Sequence, residues 1–142
     1  MNNNNVKNKI KLFLVDDDVD FLKLLKIQLL QQHDIIIETF STGELCIENL
    51  SSDPDIIIVD YNLNSVEKNA MNGIQTLDKI KAMKEDIPVI MLSAQDEIDI
   101  AITCMCHKAF DYVVKSATDF PRLKKVIIPF LISDLSTKNY DE

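Results

Sequence analysis

The chain has no surplus of positive charge: 15 lysines and arginines stand against 23 aspartates and glutamates, for a net charge of −8. Direct nucleic-acid binding needs a basic footprint that neutralises phosphates, so that class is set aside. Long apolar runs are missing as well. The leader Met1-Asn2-Asn3-Asn4-Asn5 is polar and lacks the apolar centre of a secretion signal. The longest late apolar run, Val126 to Ile132, is too short for a bilayer and holds Pro129. A cytoplasmic location with no membrane contact is the expectation. Cysteine is scarce, with Cys104 and Cys106 two apart and so on different faces of any helix. His107 sits beside them, but no second ligand cluster follows. Buried or half-buried thiols are therefore expected in place of zinc or disulfides.

What is present is alternation. Lys9–Val15, Asp34–Phe40, Asp55–Val59, Ile87–Leu92 and Phe110–Val114 read as strands, short and rich in β-branched residues. Between them, 18–32, a stretch from about 43 to 50, 73–84 and 95–108 read as helices. The first carries Phe21, Leu24, Leu25, Gln28 and Leu29 near helical spacing, and the third Ile74, Leu77, Ile80 and Lys81. Ser41-Thr42-Gly43-Glu44 has the pattern of a capping box. A last helix is expected with Thr118 as its cap, Pro121 in its first turn and Pro129 kinking it or ending its regular part. Five βα units in series imply a doubly wound α/β fold: a five-stranded parallel sheet, flavodoxin-like, in strand order 2-1-3-4-5 with helices on both faces. The expected division is a polar leader over 1–8, one domain over 9–135 and a polar tail over 136–142, with no output domain after the last helix.

The strands end in chemistry. Leu12-Phe13-Leu14-Val15 runs into Asp16-Asp17-Asp18, and Ile56-Ile57-Ile58-Val59 into Asp60; the fourth finishes in Ser93 and the fifth in Lys115. In an open parallel sheet the C-terminal strand ends form the ligand-binding edge, at the switch point between the first and third strands. Carboxylates gathered there repel unless a cation offsets them. An all-oxygen set suits magnesium, which takes one or two carboxylates and favours a phosphate oxygen. An ammonium can pair with an anion, and a hydroxyl can donate to a phosphoryl oxygen. These parts together describe phosphoryl transfer onto a carboxylate.

Leu14-Val15-Asp16-Asp17-Asp18, Ile58-Val59-Asp60-Tyr61-Asn62, Met91-Leu92-Ser93-Ala94 and Asp111-Tyr112-Val113-Val114-Lys115 occur in that order. On these segments the chain resembles, over essentially its whole length, the receiver domain of a two-component response regulator of the chemotaxis-regulator type. The resemblance implies a phosphorelay module in which Asp60 is the phosphoacceptor. Asp17, Asp60 and the backbone carbonyl of Asn62 would bind Mg2+ directly, and Asp16 through water. Lys115 and Ser93 would contact the phosphoryl group, with Ser93 and Tyr112 forming the switch. Asn62 and Gln95 would flank the water path for autodephosphorylation. Asp18 reads as the N-cap of the first helix. The implied partners are a sensor histidine kinase or phosphotransfer protein, and a downstream protein or second copy. The latter would bind the face of the fourth helix, fifth strand and last helix, where Ile100, Cys104 and the segment around Pro129 are the apolar candidates. No enzymatic activity beyond self-phosphorylation and autodephosphorylation is expected.

Three features depart from the family pattern. Ser116 follows Lys115 where proline in a cis peptide is usual, so the loop either holds a costly non-proline cis bond or relaxes. The stretch Ser65-Val66-Glu67-Lys68-Asn69-Ala70 lengthens the connection after Asp60, and reads as a tolerated surface insertion sooner than a lid or partner contact beside the site. Lys108 stands where relatives often carry glycine. Two other functions compete. A haloacid-dehalogenase-like phosphatase needs a second Asp two residues after the nucleophile, where this chain has Asn62. A pseudo-receiver acting only as an interaction module is opposed by Asp17, Asp60, Ser93 and Lys115 together.

Overall fold

Side chains that alternate along each strand send their apolar groups to both faces of the sheet, and the elements sort accordingly. The computed structural model describes residues 9–30, 35–115 and 122–130. The strands are β1 (Ile10–Val15), β2 (Ile35–Phe40), β3 (Ile56–Asp60), β4 (Val89–Ser93) and β5 (Asp111–Val114). All neighbouring pairs are parallel, in the order β2-β1-β3-β4-β5. The helices are α1 (Val19–Leu30), α2 (Gly43–Glu48), α3 (Gly73–Met83) and α4 (Ile98–Cys106), with α5 at residues 122–130. This is the doubly wound architecture expected from the sequence. Among the described residues no helix is long and apolar enough to cross a membrane.

Two cores flank the sheet. On one face Leu12, Leu14, Ile56, Ile58, Ile90, Leu92 and Val113 pack under Leu22, Leu25 and Leu29 of α1 and Leu123 and Ile127 of α5. On the other face Phe13, Val15, Ile57, Val59, Val89 and Met91 meet Cys46, Leu77, Ile80, Ile100 and Cys104. β3 and β4 are buried at every position, which is why they read as continuous apolar runs. Each fully buried Leu or Ile contributes about 1.5–3 kcal/mol.

Local chemistry shifts several boundaries. β3 extends to include Asp60, and β4 starts at Val89 and includes Ser93. The buried stripe of α1 is Leu22, Leu25 and Leu29, while Leu24 is exposed. Asp18 caps α1, its Oδ1 accepting from the Phe21 N–H at 3.1 Å. The capping box expected at Ser41-Thr42-Gly43-Glu44 does not form. Thr42 is the cap, accepting from the Leu45 N–H, and the Glu44 carboxylate reaches across to the Met71 N–H at 2.9 Å. A reciprocal box starts α3 instead, between its N-cap Asn72 and Gln75. α4 starts at Ile98, later than Gln95, because the polar groups of Gln95 are taken. Its N–H donates to Ser93 Oγ at 3.1 Å, and its carbonyl accepts the Tyr112 hydroxyl. Thr118, Pro121 and the chain ends over 1–8 and 136–142 lie outside the described residues. Pro129 falls within the helical residues 122–130.

The exposed apolar side chains near α4 are not the expected ones. Ile100 and Cys104 are buried in the core, because they sit on the inner stripe of the helix. Ile98, Ile102 and Met105 are exposed instead, as is Phe110, whose ring meets Phe130 of α5 edge to face at 4.7 Å. The thiols of Cys46 and Cys104 are pushed up by burial, to about 12 and about 11. Among the described residues, no grouping of Cys104, Cys106 and His107 could hold a metal. His107 Nδ1 instead faces Asp78 Oδ1 at 2.7 Å, tying α4 to α3.

Lys108 gains a meaning here. It closes α4 in the left-handed region, with φ 74°, a conformation that costs an L-residue about 1–2 kcal/mol and glycine little. Lys108→Gly is therefore expected to raise stability by about 1 kcal/mol, read as a higher midpoint in urea unfolding. A lower midpoint would show that the lysine side chain contributes more than the strain costs.

Candidate functional site

The parity of the strands decides which groups meet. Asp60 follows Ile56 and Ile58 onto the face shared with α1 and α5, Asp16 follows Leu12 and Leu14, and Lys115 follows Val113. The three converge: the Lys115 ammonium lies 2.8 Å from Asp16 Oδ2 and 3.8 Å from Asp60 Oδ2. The same ammonium stands 4.4 Å from the centroid of the Phe21 ring of α1, a cation–π contact that holds it over the site. Asp16 and Asp60 are almost dry, 2% and 3% exposed.

That dryness controls the protonation of the cluster. Burial raises the Asp16 carboxyl, and the close Lys115 ammonium and the hydrogen bond from the Asp18 N–H recover part of the shift. Asp60 is pushed up to about 7, first by burial and then by the charge of Asp16; Lys115 and the Asn62 N–H oppose this. Burial alone would lower Lys115, but its bond to Asp16 and the charges of Asp60, Asp16 and Asp18 outweigh it and raise it.

One carboxylate oxygen from each of Asp16, Asp17 and Asp60 lies within 4.8 Å of the other two. Asp16 Oδ1 accepts from the Asp18 N–H at 2.9 Å. Asp16 Oδ2 is buried with no aligned hydrogen bond and leans on the Lys115 ammonium. Desolvated carboxylates, all oxygen and without imidazole or thiol, fit a hard divalent cation such as magnesium and do not fit zinc. Asp17 and Asp60 line a cavity of about 410 Å³ together with Asp18, Asn62, Ser65, Ala94 and Lys115.

The remaining expected residues sit differently. Ser93 and Tyr112 follow the opposite parity, towards the face of α3 and α4. Ser93 is fully buried, its Oγ accepting from the Gln95 N–H, and its carbonyl takes the Lys115 N–H at 2.5 Å. Tyr112 is half-buried, its hydroxyl on the Gln95 carbonyl. Gln95 thus joins Ser93 to Tyr112 through its backbone, while Ala94 lines the cavity. The peptide from Lys115 to Ser116 lies outside the described residues.

Two residues near the site escaped the sequence reading. Gly73 brings the chain back against the backbone that follows Asp60: a Cβ there would lie 2.5 Å from the Asp60 carbonyl oxygen and 2.6 Å from the Tyr61 Cα. It is one of two glycines in the chain, a signal that could have found it. The second is Ser65, whose N–H and hydroxyl both donate to Asp17. The sequence marks only the longer connection that Ser65 begins; its contact with Asp17, 48 residues away, is not written in any local pattern.

Residues 12–128 match the family model described as the response regulator receiver domain. The chain belongs to the receiver-domain family of response regulators. This receiver is 34% identical over 117 residues to a protein-glutamate methylesterase/protein-glutamine glutaminase of Clostridium acetobutylicum, covering 79% of this chain and 32% of that protein. It is 27% identical to the transcriptional regulatory protein ZraR of Salmonella typhimurium, covering 86% of this chain and 26% of that protein. The receiver thus spans a third or less of these curated relatives. Among solved structures it resembles the response regulator TrrA of Thermotoga maritima in complex with Mg2+-BeF. That likeness has a TM-score of 0.73 at 26% identity and covers 86% of this chain and 99% of the other.

The raised Asp60 carboxyl sets a pH dependence for the metal-free receiver. A folded value above the ordinary 3.8 means that the native state binds the extra proton. Stability from this group is therefore fullest at low pH and is lost as pH rises from about 4 to about 7. Asp60→Asn removes the group. In EDTA the variant is expected to match wild type near pH 4 and exceed it by about 1–3 kcal/mol near pH 8. Parallel pH profiles of urea unfolding for the two proteins would contradict the burial of a charged Asp60.

Proposed function

We propose that the protein is a phosphoacceptor switch of a two-component relay, phosphorylated on Asp60 with Mg2+ and read out through a protein-binding face. The observation that carries this reading is the buried Asp60 at the end of β3. Oxygens of Asp16 and Asp17 lie within 4.8 Å of its own, and the Lys115 ammonium is 3.8 Å away. In the reaction an Asp60 oxygen attacks the phosphorus of a partner phosphohistidine or a small phosphodonor. The P–N or P–O bond breaks, and the leaving group departs with the electron pair, as neutral imidazole from a phosphohistidine protonated on its other nitrogen or as a carboxylate from an acyl phosphate. Asp17, Asp60 and the Asn62 carbonyl would hold the cation directly and Asp16 through water. Mg2+, when bound, supplies positive charge against the phosphoryl oxygens.

Lys115 turns from Asp16 towards the phosphoryl group as a point charge, and the Ser93 hydroxyl donates to it. Moving Ser93 disturbs its bond with the Gln95 N–H, and so the Gln95 carbonyl that holds the Tyr112 hydroxyl. Released, Tyr112 turns inward and repacks the α4, β5 and α5 face, with Ile98, Ile102 and Met105 as its apolar contacts. Asn62 and Gln95 are polar, so water reaches the acyl phosphate and autodephosphorylation proceeds. Partners are a sensor kinase or phosphotransfer protein upstream and a protein target or second copy downstream. The protein works in the cytoplasm, without direct contact with nucleic acid or membrane.

Intact mass after incubation with a small phosphodonor is expected to show one added phosphoryl group, dependent on Mg2+ and absent in Asp60→Asn. Phosphorylation of Asp60→Asn at the wild-type rate and extent would sink the assignment. Amide spectra with and without a phosphoryl mimic test the switch. Shifts are expected across α4, Tyr112 and α5, and changes confined to the rim around Asp60 would refute it.

A further inference from the structure

The segment inserted after Asp60 is tied to the site at a specific atom. Asp17 Oδ2 accepts three hydrogen bonds from it: from the Ser65 N–H at 3.1 Å, the Ser65 hydroxyl at 2.5 Å and the Val66 N–H at 3.1 Å. The segment is itself held at both ends. Leu63 is buried in the core beside α3, and the Met71 N–H donates to Glu44 of α2. A carboxylate offers two oxygens of limited acceptor capacity. Three donors occupy Oδ2 and stop the carboxylate from rotating, which leaves Oδ1 as the oxygen for a cation.

From this we infer that Ser65 is a positioning residue for the cation site: the inserted segment holds the half-buried Asp17 in its ligating orientation. The inference rests on the reading of Asp16, Asp17 and Asp60 as a magnesium site. Hydrogen-bonded support of a ligating carboxylate preorganises it, and its loss weakens metal affinity by about 10–100-fold. Two backbone donors remain when the hydroxyl alone is removed, so the lower end of that range applies. Ser65 is exposed, so its truncation leaves both cores intact.

The test is a Mg2+ titration of the full chain, followed by calorimetry, with melting temperatures in EDTA alongside. Ser65→Ala is expected to raise the Kd about tenfold while its melting temperature in EDTA stays at the wild-type value. Ser65→Thr, which keeps the hydroxyl, is expected to restore most of the affinity. In an Asp17→Asn background, already weakened, Ser65→Ala is expected to change nothing further. Wild-type affinity in Ser65→Ala overturns the inference, and tighter binding shows that the segment competes with the cation. If wild type binds Mg2+ and takes up a phosphoryl group in either of those cases, the proposed function stands and this inference alone fails. Failure of wild type to bind Mg2+ removes both.

Discussion

Two nearly dry carboxylates share one ammonium at the end of the sheet, and the rest of the molecule is arranged around that arrangement. Asp16 and Asp60 lie where β1 and β3 leave a core of continuous apolar side chains, so water that would solvate them is excluded on both faces. Desolvation makes the double negative charge costly. Lys115 answers part of it, and Phe21 holds the ammonium from the α1 side. A site built this way has an unmet demand for positive charge, which is what makes a divalent cation and the phosphoryl oxygens it neutralises a chemically sensible pair.

The alternation of the strands separates two tasks. Asp16, Asp60 and Lys115 belong to the face of α1 and α5, whereas Ser93 and Tyr112 belong to the face of α3 and α4. The sheet edge is where the two meet: the Ser93 carbonyl bonds the Lys115 N–H, and the Ser93 side chain holds the Gln95 N–H. Under the proposed function, charge chemistry on one face reaches the packing of the other through this short run of hydrogen bonds. Such coupling is limited by the differential energy of a few contacts.

Much of this was legible in the residues. Ile56-Ile57-Ile58-Val59 could be read as a strand buried on both sides because a run without polar alternation has no solvent face to offer. Asp18 was legible as a cap because a carboxylate before a helical stripe satisfies an orphan N–H. The box assigned to Ser41 through Glu44 failed because Glu44 found a distant donor, Met71, that no local pattern contains. Ile100 and Cys104 were misplaced on the surface because the apolar run of α4 has candidates on more than one face, and only its packing on the sheet shows which stripe turns inward.

The sequence by itself determined the order of elements, the parallel sheet and the delivery of Asp16, Asp17, Asp60, Ser93 and Lys115 to one edge. These follow from hydrophobic period and from where each run ends, both local properties. Only the tertiary structure decided that Lys115 pairs more closely with Asp16 than with Asp60, that Gly73 must lack a side chain, and that the segment beginning at Ser65 grips Asp17. Each depends on contact between residues far apart in the chain, fixed by the packing of helices and loops on the sheet. No periodicity within a strand or helix encodes such distances.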